Sequence, residues 1–135
     1  MSAEKMKTIV NTTSAPAPIG PYSQAIQVSS PAHTLYVSGQ IAIDPHTRNL
    51  VSDSLENEAH QVMANIEAIL NEAGAKFDDV VKCSIFLKDM NNFAVVNKIY
   101  GQYFDGQTPP ARECIEVARL PKDVNVEIAA VAVYG

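Results

Sequence analysis

The stretch Val124 to Val133 is built almost wholly of Val, Ile and Ala, yet it carries one carboxylate, Glu127. A run that apolar reads as a strand covered on both faces. A carboxylate set in such a run needs a partner, because burying it unpaired is costly or forces it to take up a proton. Upstream, Pro110-Ala111-Arg112-Glu113-Cys114-Ile115-Glu116-Val117 places a guanidinium in a second strand-like stretch. Arg112 is the internal ion-pair partner of Glu127, or else both residues face a cleft and hold a small polar ligand between them. Spacing alone leaves both open.

At 135 residues the chain has the length of one domain, spanning 1–135, and is long enough to bury a core without disulfide staples. Its 47% hydrophobic and 19% charged residues exclude disorder as the dominant state. Ten basic against fifteen acidic residues leave a net charge of -5, and no stretch gathers Lys and Arg into a stripe that would track phosphates. Nucleic acid is therefore a poor expected partner. Cys83 and Cys114 fall inside strand-like runs without C-x-x-C spacing and read as reduced core thiols. The N-terminus has no apolar leader, and no stretch approaches the roughly 18 apolar residues of a membrane span, so the expectation is a cytoplasmic protein off the membrane.

Periodicity sets out the elements. Lys7 to Val10 reads as a strand, Thr12 to Pro21 as a Pro-rich loop, and Tyr22 to Val28 and Thr34 to Ile43 as two further strands. From Glu56 to Ala73 the apolar residues Ala59, Val62, Met63, Ile66, Ile69, Leu70 and Ala73 form one helical face, with Asp53 or Ser54 as cap and Gly74 as stop. Val80 to Leu87 alternates, with Val81, Cys83, Ile85 and Leu87 on its dry side. A second helix is expected over Asn91 to Phe104, capped by Asp89, and strands over Glu113 to Val117 and Asn125 to Val133. The order β-β-β-α-β-α-β-β predicts an α+β fold: a mixed sheet with two helices on one face. The other face stays partly bare unless copies of the chain pack on it, so an oligomer is expected.

Alternation sets Arg112 and Cys114 on the same side of their strand. A guanidinium suits carboxylate capture through two parallel hydrogen bonds, and Glu127 can polarise a water or shuttle a proton. Gly39, within Ser38-Gly39-Gln40, marks a bulge or a close backbone approach. Tyr22 can lend its hydroxyl to a pocket or sit half-buried in the core, and Asn97 can reach a neighbour or meet water. His33, His46 and His60 are scattered without metal-ligand spacing, so no metal is expected. Cys114 reads as a packed thiol rather than a nucleophile, and there is no Gly-rich phosphate loop.

The segments Ile19-Gly20-Pro21-Tyr22-Ser23-Gln24-Ala25, Ser38-Gly39-Gln40-Ile41, Val95-Val96-Asn97, Pro110-Ala111-Arg112, and Leu120-Pro121-Lys122 with Val126-Glu127-Ile128 closely resemble the RidA/YjgF family of reactive-intermediate deaminases, in its archetypal branch. The resemblance spans nearly the whole chain. It implies a chorismate-mutase-like fold assembled as a homotrimer with clefts between subunits. It also implies hydrolysis of 2-iminobutanoate and 2-iminopropanoate, released by pyridoxal-phosphate-dependent dehydratases, to 2-keto acids and ammonia, with no cofactor. Carried onto this chain, Arg112 would hold the substrate carboxylate, and Glu127 with the backbone carbonyl of Cys114 would orient the attacking water. Gly39 would offer backbone contact, and Tyr22, Ser38 and Asn97 would shape the pocket. Glu113 and Pro109 depart from the family's small and aromatic residues; alternation points Glu113 away from Arg112, so its expected effect is on packing. Two other readings stand beside hydrolysis: a non-catalytic sensor of 2-keto acids, and the ribonuclease or translation-inhibitor role also associated with the family.

Overall fold

In a computed structural model of the chain, residues 7–135 are described; the N-terminal segment read above for a leader lies, up to Met6, outside them. The strands are β1 (Lys7–Val10), β2 (Ala25–Val28), β3 (His33–Gln40), β4 (Val80–Leu87), β5 (Ala111–Glu116) and β6 (Val126–Tyr134); the helices are α1 (Leu55–Ala73) and α2 (Phe93–Gln102). The element order is the expected one. β3, β6, β4 and β5 lie side by side in that order, with β4 and β5 parallel and the other pairs antiparallel, which makes the sheet mixed. β1 and β2 pair with each other as a separate two-stranded sheet. After β2 the chain turns away at Ser30, in the left-handed region at φ 44, and Pro31 brings no N–H to extend a ladder.

α1 forms where its apolar spacing predicts. The Ser54 hydroxyl accepts from the Asn57 amide, Glu56 and Glu58 sit at the positive end of the helix dipole, and Gly74 closes the helix at φ 82. Its buried side, Ala59, Val62, Met63, Ile66 and Leu70, packs with Val96, Tyr100 and Phe104 of the α2 segment against Cys83, Ile85, Leu87, Val126, Ile128, Ala130 and Ala132 of the sheet. α2 is shorter than the expected Asn91 to Phe104. The Asp89 carboxylate caps a 3-10 turn over Met90–Asn92, and the regular helix starts only at Phe93.

β5 runs Ala111–Glu116 rather than Glu113 to Val117, and β6 runs Val126–Tyr134 rather than Asn125 to Val133. Three further departures from the sequence reading have a local reason. β2 begins at Ala25 rather than Tyr22, because the Tyr22 amide donates to the Gly20 carbonyl at 2.8 Å and the Ser23 amide to the Pro110 carbonyl at 3.0 Å. β3 stops at Gln40 rather than Ile43, after a register shift between Val37 and Gln40. Within β4 a shift between Val80 and Lys82 brings Val80, not Val81, onto the dry side with Cys83.

The face of the sheet away from the helices carries Tyr36, 78% exposed, and Ile115, 45% exposed. Around them lie half-buried Phe86, Ala129 and Val131. Among the described residues no helix is long and apolar enough to cross a membrane.

Candidate functional site

β5 stands Arg112 opposite Cys83 in register, on the helix side of the sheet. Its Nη1 donates to Asn97 Oδ1 at 2.6 Å. The guanidinium carbon lies 5.1 Å from the ring centre of Tyr22, 5.2 Å from that of Tyr100 and 5.8 Å from that of Phe93. Three aromatic faces and one neutral amide thus hold the cation in place. Its other N–H groups find no acceptor among the described residues. Arg112 forms one wall of a hollow of about 280 Å³, together with Ile19, Tyr22, Phe93 and Cys114.

The Pro-rich loop closes over the same place. The Tyr22 hydroxyl accepts from the Ile19 amide at 3.2 Å, which lays the Tyr22 ring against the cation. A Cβ on Gly20 would stand 3.4 Å from Arg112 Nη2 and 3.6 Å from Asn97 Nδ2, which places the loop backbone in contact range of both. Beneath the ring box, burial pushes the Cys83 thiol up to about 11 and holds the Tyr100 phenol well above its ordinary range, the Cys83 thiol adding to the second effect. Cys114 is half-buried, and burial raises its thiol although the Arg112 charge pulls the other way. Both thiols are unbridged. Cys114 is thus a protonated wall of the hollow, not a poised nucleophile.

Glu127 lies elsewhere. It stands between the buried Val126 and Ile128 and opposite Phe86, and so points to the face away from the helices. β4 separates its strand from that of Arg112. The internal Arg112–Glu127 ion pair, one of the two open readings, is therefore not formed. The ion pairs among the described residues are Lys82–Glu113 at 3.1 Å and Arg119–Asp123 at 3.0 Å. The first of these shows Glu113 pointing away from Arg112, as alternation predicts. Burial pulls the Glu113 carboxyl up, but hydrogen bonds from Lys82 and Ser84 outweigh it and hold it below the usual range.

The neighbour of Glu127 is Gly39, at the bulge in β3. A Cβ at position 39 would lie 2.0 Å from Glu127 Oε2 and 2.8 Å from its carboxyl carbon, so only glycine admits the carboxylate. Both readings of Gly39, bulge and close approach, hold together. Ser38 is exposed beside it. The proposed site residues therefore fall into two groups in one chain: Arg112, Asn97, Tyr22 and Cys114 on the helix side of β5, and Glu127, Gly39 and Ser38 on the opposite face of β6 and β3.

Phe93, Tyr100, Ile19 and Gly20 were not among the site residues read from sequence. Phe93 and Tyr100 fall on the apolar face of the second helix. With Asn97 they stand at i, i+4 and i+7, one helical face, and a polar residue in the middle of that face was the available signal.

With this geometry in hand, comparison with known proteins is decisive. The sequence profile of the family described as Endoribonuclease L-PSP matches residues 12–134. A RutC family protein of Synechocystis is 56% identical over 126 residues, covering 93% of this chain and 95% of that protein. Mouse 2-iminobutanoate/2-iminopropanoate deaminase is 47% identical over 130 residues, covering 96% of this chain and 93% of that protein. The crystal structure of the E. coli YjgF gene product superimposes with a TM-score of 0.71 at 42% identity, covering 93% of this chain and 98% of that one. The chain belongs to the RidA/YjgF family.

Two outcomes follow for this RidA/YjgF protein. Alkylation of Cys114 by iodoacetamide near pH 7.5 will be slower than that of a free cysteine, and will accelerate only as the pH climbs past the ordinary thiol range; a fast reaction at neutral pH would contradict the raised thiol. Gly39→Ala will fold but drive the Glu127 carboxylate from its place, since the clash is with a flexible side chain, and a crystal structure of the variant will show the new position.

Proposed function

We propose that the protein hydrolyses small 2-imino acids, 2-iminobutanoate and 2-iminopropanoate among them, to 2-keto acids and ammonia. The observation that carries this reading is the Arg112 guanidinium, fixed by neutral partners, without an anionic partner among the described residues, and set in the wall of a hollow. A carboxylate entering the hollow meets a preformed, permanently charged fork. The size of the hollow and its walls of Ile19, Tyr22 and Phe93 suit a short aliphatic chain.

The second requirement is a group that directs water at the C=N carbon, and Glu127 is the acid available. Because Arg112 and Glu127 lie on opposite faces in one chain, the reaction needs the Glu127 group of one copy brought to the Arg112 hollow of another. The exposed Tyr36 and Ile115 on the Glu127 face supply an apolar surface for such packing. The assembly proposed is a homotrimer with its sites between subunits. In each site Arg112 grips the substrate carboxylate, while Glu127 and the Cys114 carbonyl orient the water. Water adds to the imine carbon as the nitrogen takes a proton, and the resulting carbinolamine loses ammonia to leave the keto acid. An iminium carbon is already electrophilic, so positioning and one polarised water suffice.

The family profile carries an endoribonuclease description, but a net charge of -5 without a basic stripe gives an RNA backbone little to hold. Hydrolysis of imines is the reading the site favours over strand cleavage.

In an assay where a threonine dehydratase generates the imine and semicarbazide competes to trap it, the wild-type protein will speed keto-acid formation. Arg112→Ala will lower that rate by about 100-fold or more, in keeping with the loss of a charged double hydrogen bond. Its fold and assembly, followed by circular dichroism and light scattering, will be retained. Full activity in Arg112→Ala would remove the carboxylate grip, whereas tight 2-keto acid binding without any hydrolysis by wild type would make the protein a sensor.

The shared site has its own test. Arg112→Ala and Glu127→Gln, each inactive alone, will regain activity when unfolded together and reassembled, because roughly a quarter of the interfaces then combine a native Arg112 with a native Glu127. No recovery would place both groups' work within one copy.

A further inference from the structure

Glu58 is a carboxylate only 2% exposed, and its place is the first turn of α1. A charge buried that deeply persists only when its oxygens are satisfied. Here they are: Oε2 accepts from the Asn125 amide at 2.8 Å and from the Val126 amide at 3.3 Å, and Oε1 accepts from Asn125 Nδ2 at 2.8 Å. All three bonds go to the two residues that immediately precede Glu127. From the other side the Lys88 amide donates to the Asn125 carbonyl at 3.0 Å.

The approach to this point is strained. Lys122 and Asp123 both occupy the left-handed region, at φ 54 and 55, though neither is glycine. Backbone of that kind survives only where its surroundings over-determine it, and the Glu58 carboxylate fixes the chain directly after it. Beyond the clamp the Glu127 carboxylate lies against Gly39, in the space a Cβ there would need. A shift of β6 at Val126 therefore displaces the Glu127 carboxylate, and a slip of one residue would turn it to the opposite face.

We propose that Glu58 is a positioning residue for the reaction: through Asn125 and Val126 it sets the place of the Glu127 carboxylate without touching substrate. This rests on the imine-hydrolysis reading, in which Glu127 directs the water and Arg112 binds.

The test is a set of variants whose hydrogen-bond polarity can be broken and mended. Glu58→Gln keeps one oxygen for the two backbone amides, and its NH₂ can face an Asn125 amide turned end for end; its kcat will stay near wild type. Asn125→Asp sets two carboxylates against each other, and its kcat will fall by about tenfold or more, the scale of a sub-ångström to 1 Å misplacement. KM and the affinity for 2-oxobutanoate, governed by Arg112, will stay within about twofold. The double variant Glu58→Gln/Asn125→Asp restores a donor facing an acceptor and will recover kcat. Crystal structures give a readout independent of activity: Glu127 will leave Gly39 in Asn125→Asp and return in the double variant. If folded Asn125→Asp keeps wild-type kcat and an unmoved Glu127, or if kcat and affinity fall together with folded fraction, Glu58 is scaffold alone and the proposal fails. Wild-type protein inactive on imines would instead overturn the reaction, and the crystallographic comparison would still decide whether Glu58 places Glu127.

Discussion

The Arg112 guanidinium cannot give up its proton, so burying even part of it obliges the fold to neutralise or solvate a permanent charge. Most proteins would set a carboxylate beside it. Here the partners are the Asn97 carbonyl oxygen and the faces of Tyr22, Phe93 and Tyr100. The choice has a chemical consequence. A carboxylate partner would compete with any anionic ligand for the same N–H groups, whereas an amide oxygen and aromatic rings orient the cation and leave its charge uncompensated. An anion entering the hollow completes a pairing that the chain leaves unfinished.

That arrangement depends on a loop with almost no regular structure. The Gln24 side chain accepts from the Thr12 amide at 2.7 Å and donates to the carbonyls of Thr12, Ala15 and Pro16. It gathers carbonyls that the loop's prolines cannot satisfy, having no N–H of their own. The Ser23 bonds to the carbonyls of Pro109 and Pro110 then tie the loop to the residues leading into β5. Gly20 and Tyr22 therefore arrive beside the same strand that carries Arg112, although about ninety residues of chain separate them. The Pro109 departure from the family pattern leaves this tie in place, since the bond uses only its backbone.

Much of this was legible in the sequence where a single period governs a segment. α1 follows its apolar spacing because every fourth side chain meets the core, and the identities of Arg112, Cys114 and Glu113 as alternating residues fixed which of them share a side. Where the backbone leaves its ideal repeat, the pattern lost its meaning. The irregularity near Val81 exchanged the sides of Val80 and Val81, and β2 lost its first three residues to hydrogen bonds with Gly20 and Pro110. Side-chain pairings between distant segments were the least visible, since Asn97 gave no hint of Arg112 beyond lying on an aromatic helix face. By position alone Glu58 is a first-turn acid suited to the dipole. It stands four residues before Val62 and eight before Ile66, inside the apolar stripe, and a carboxylate at such a position demands buried donors that no local pattern can name.

The open face of the sheet joins these threads. It carries Tyr36 and Ile115, costly to leave in water, beside the Lys82–Glu113 pair and Glu127. In the proposed assembly the apolar residues drive packing, and the charges must tolerate it. Covering an unpaired Glu113 would incur the desolvation of a carboxylate, but Lys82 and the Ser84 hydroxyl already satisfy both of its oxygens within the chain. Glu127 has no such cation among the described residues, and only Gly39 gives it room. Of the two acids on this face, one is thus committed to the architecture and the other is left available, and it is the available one whose backbone Glu58 holds in place.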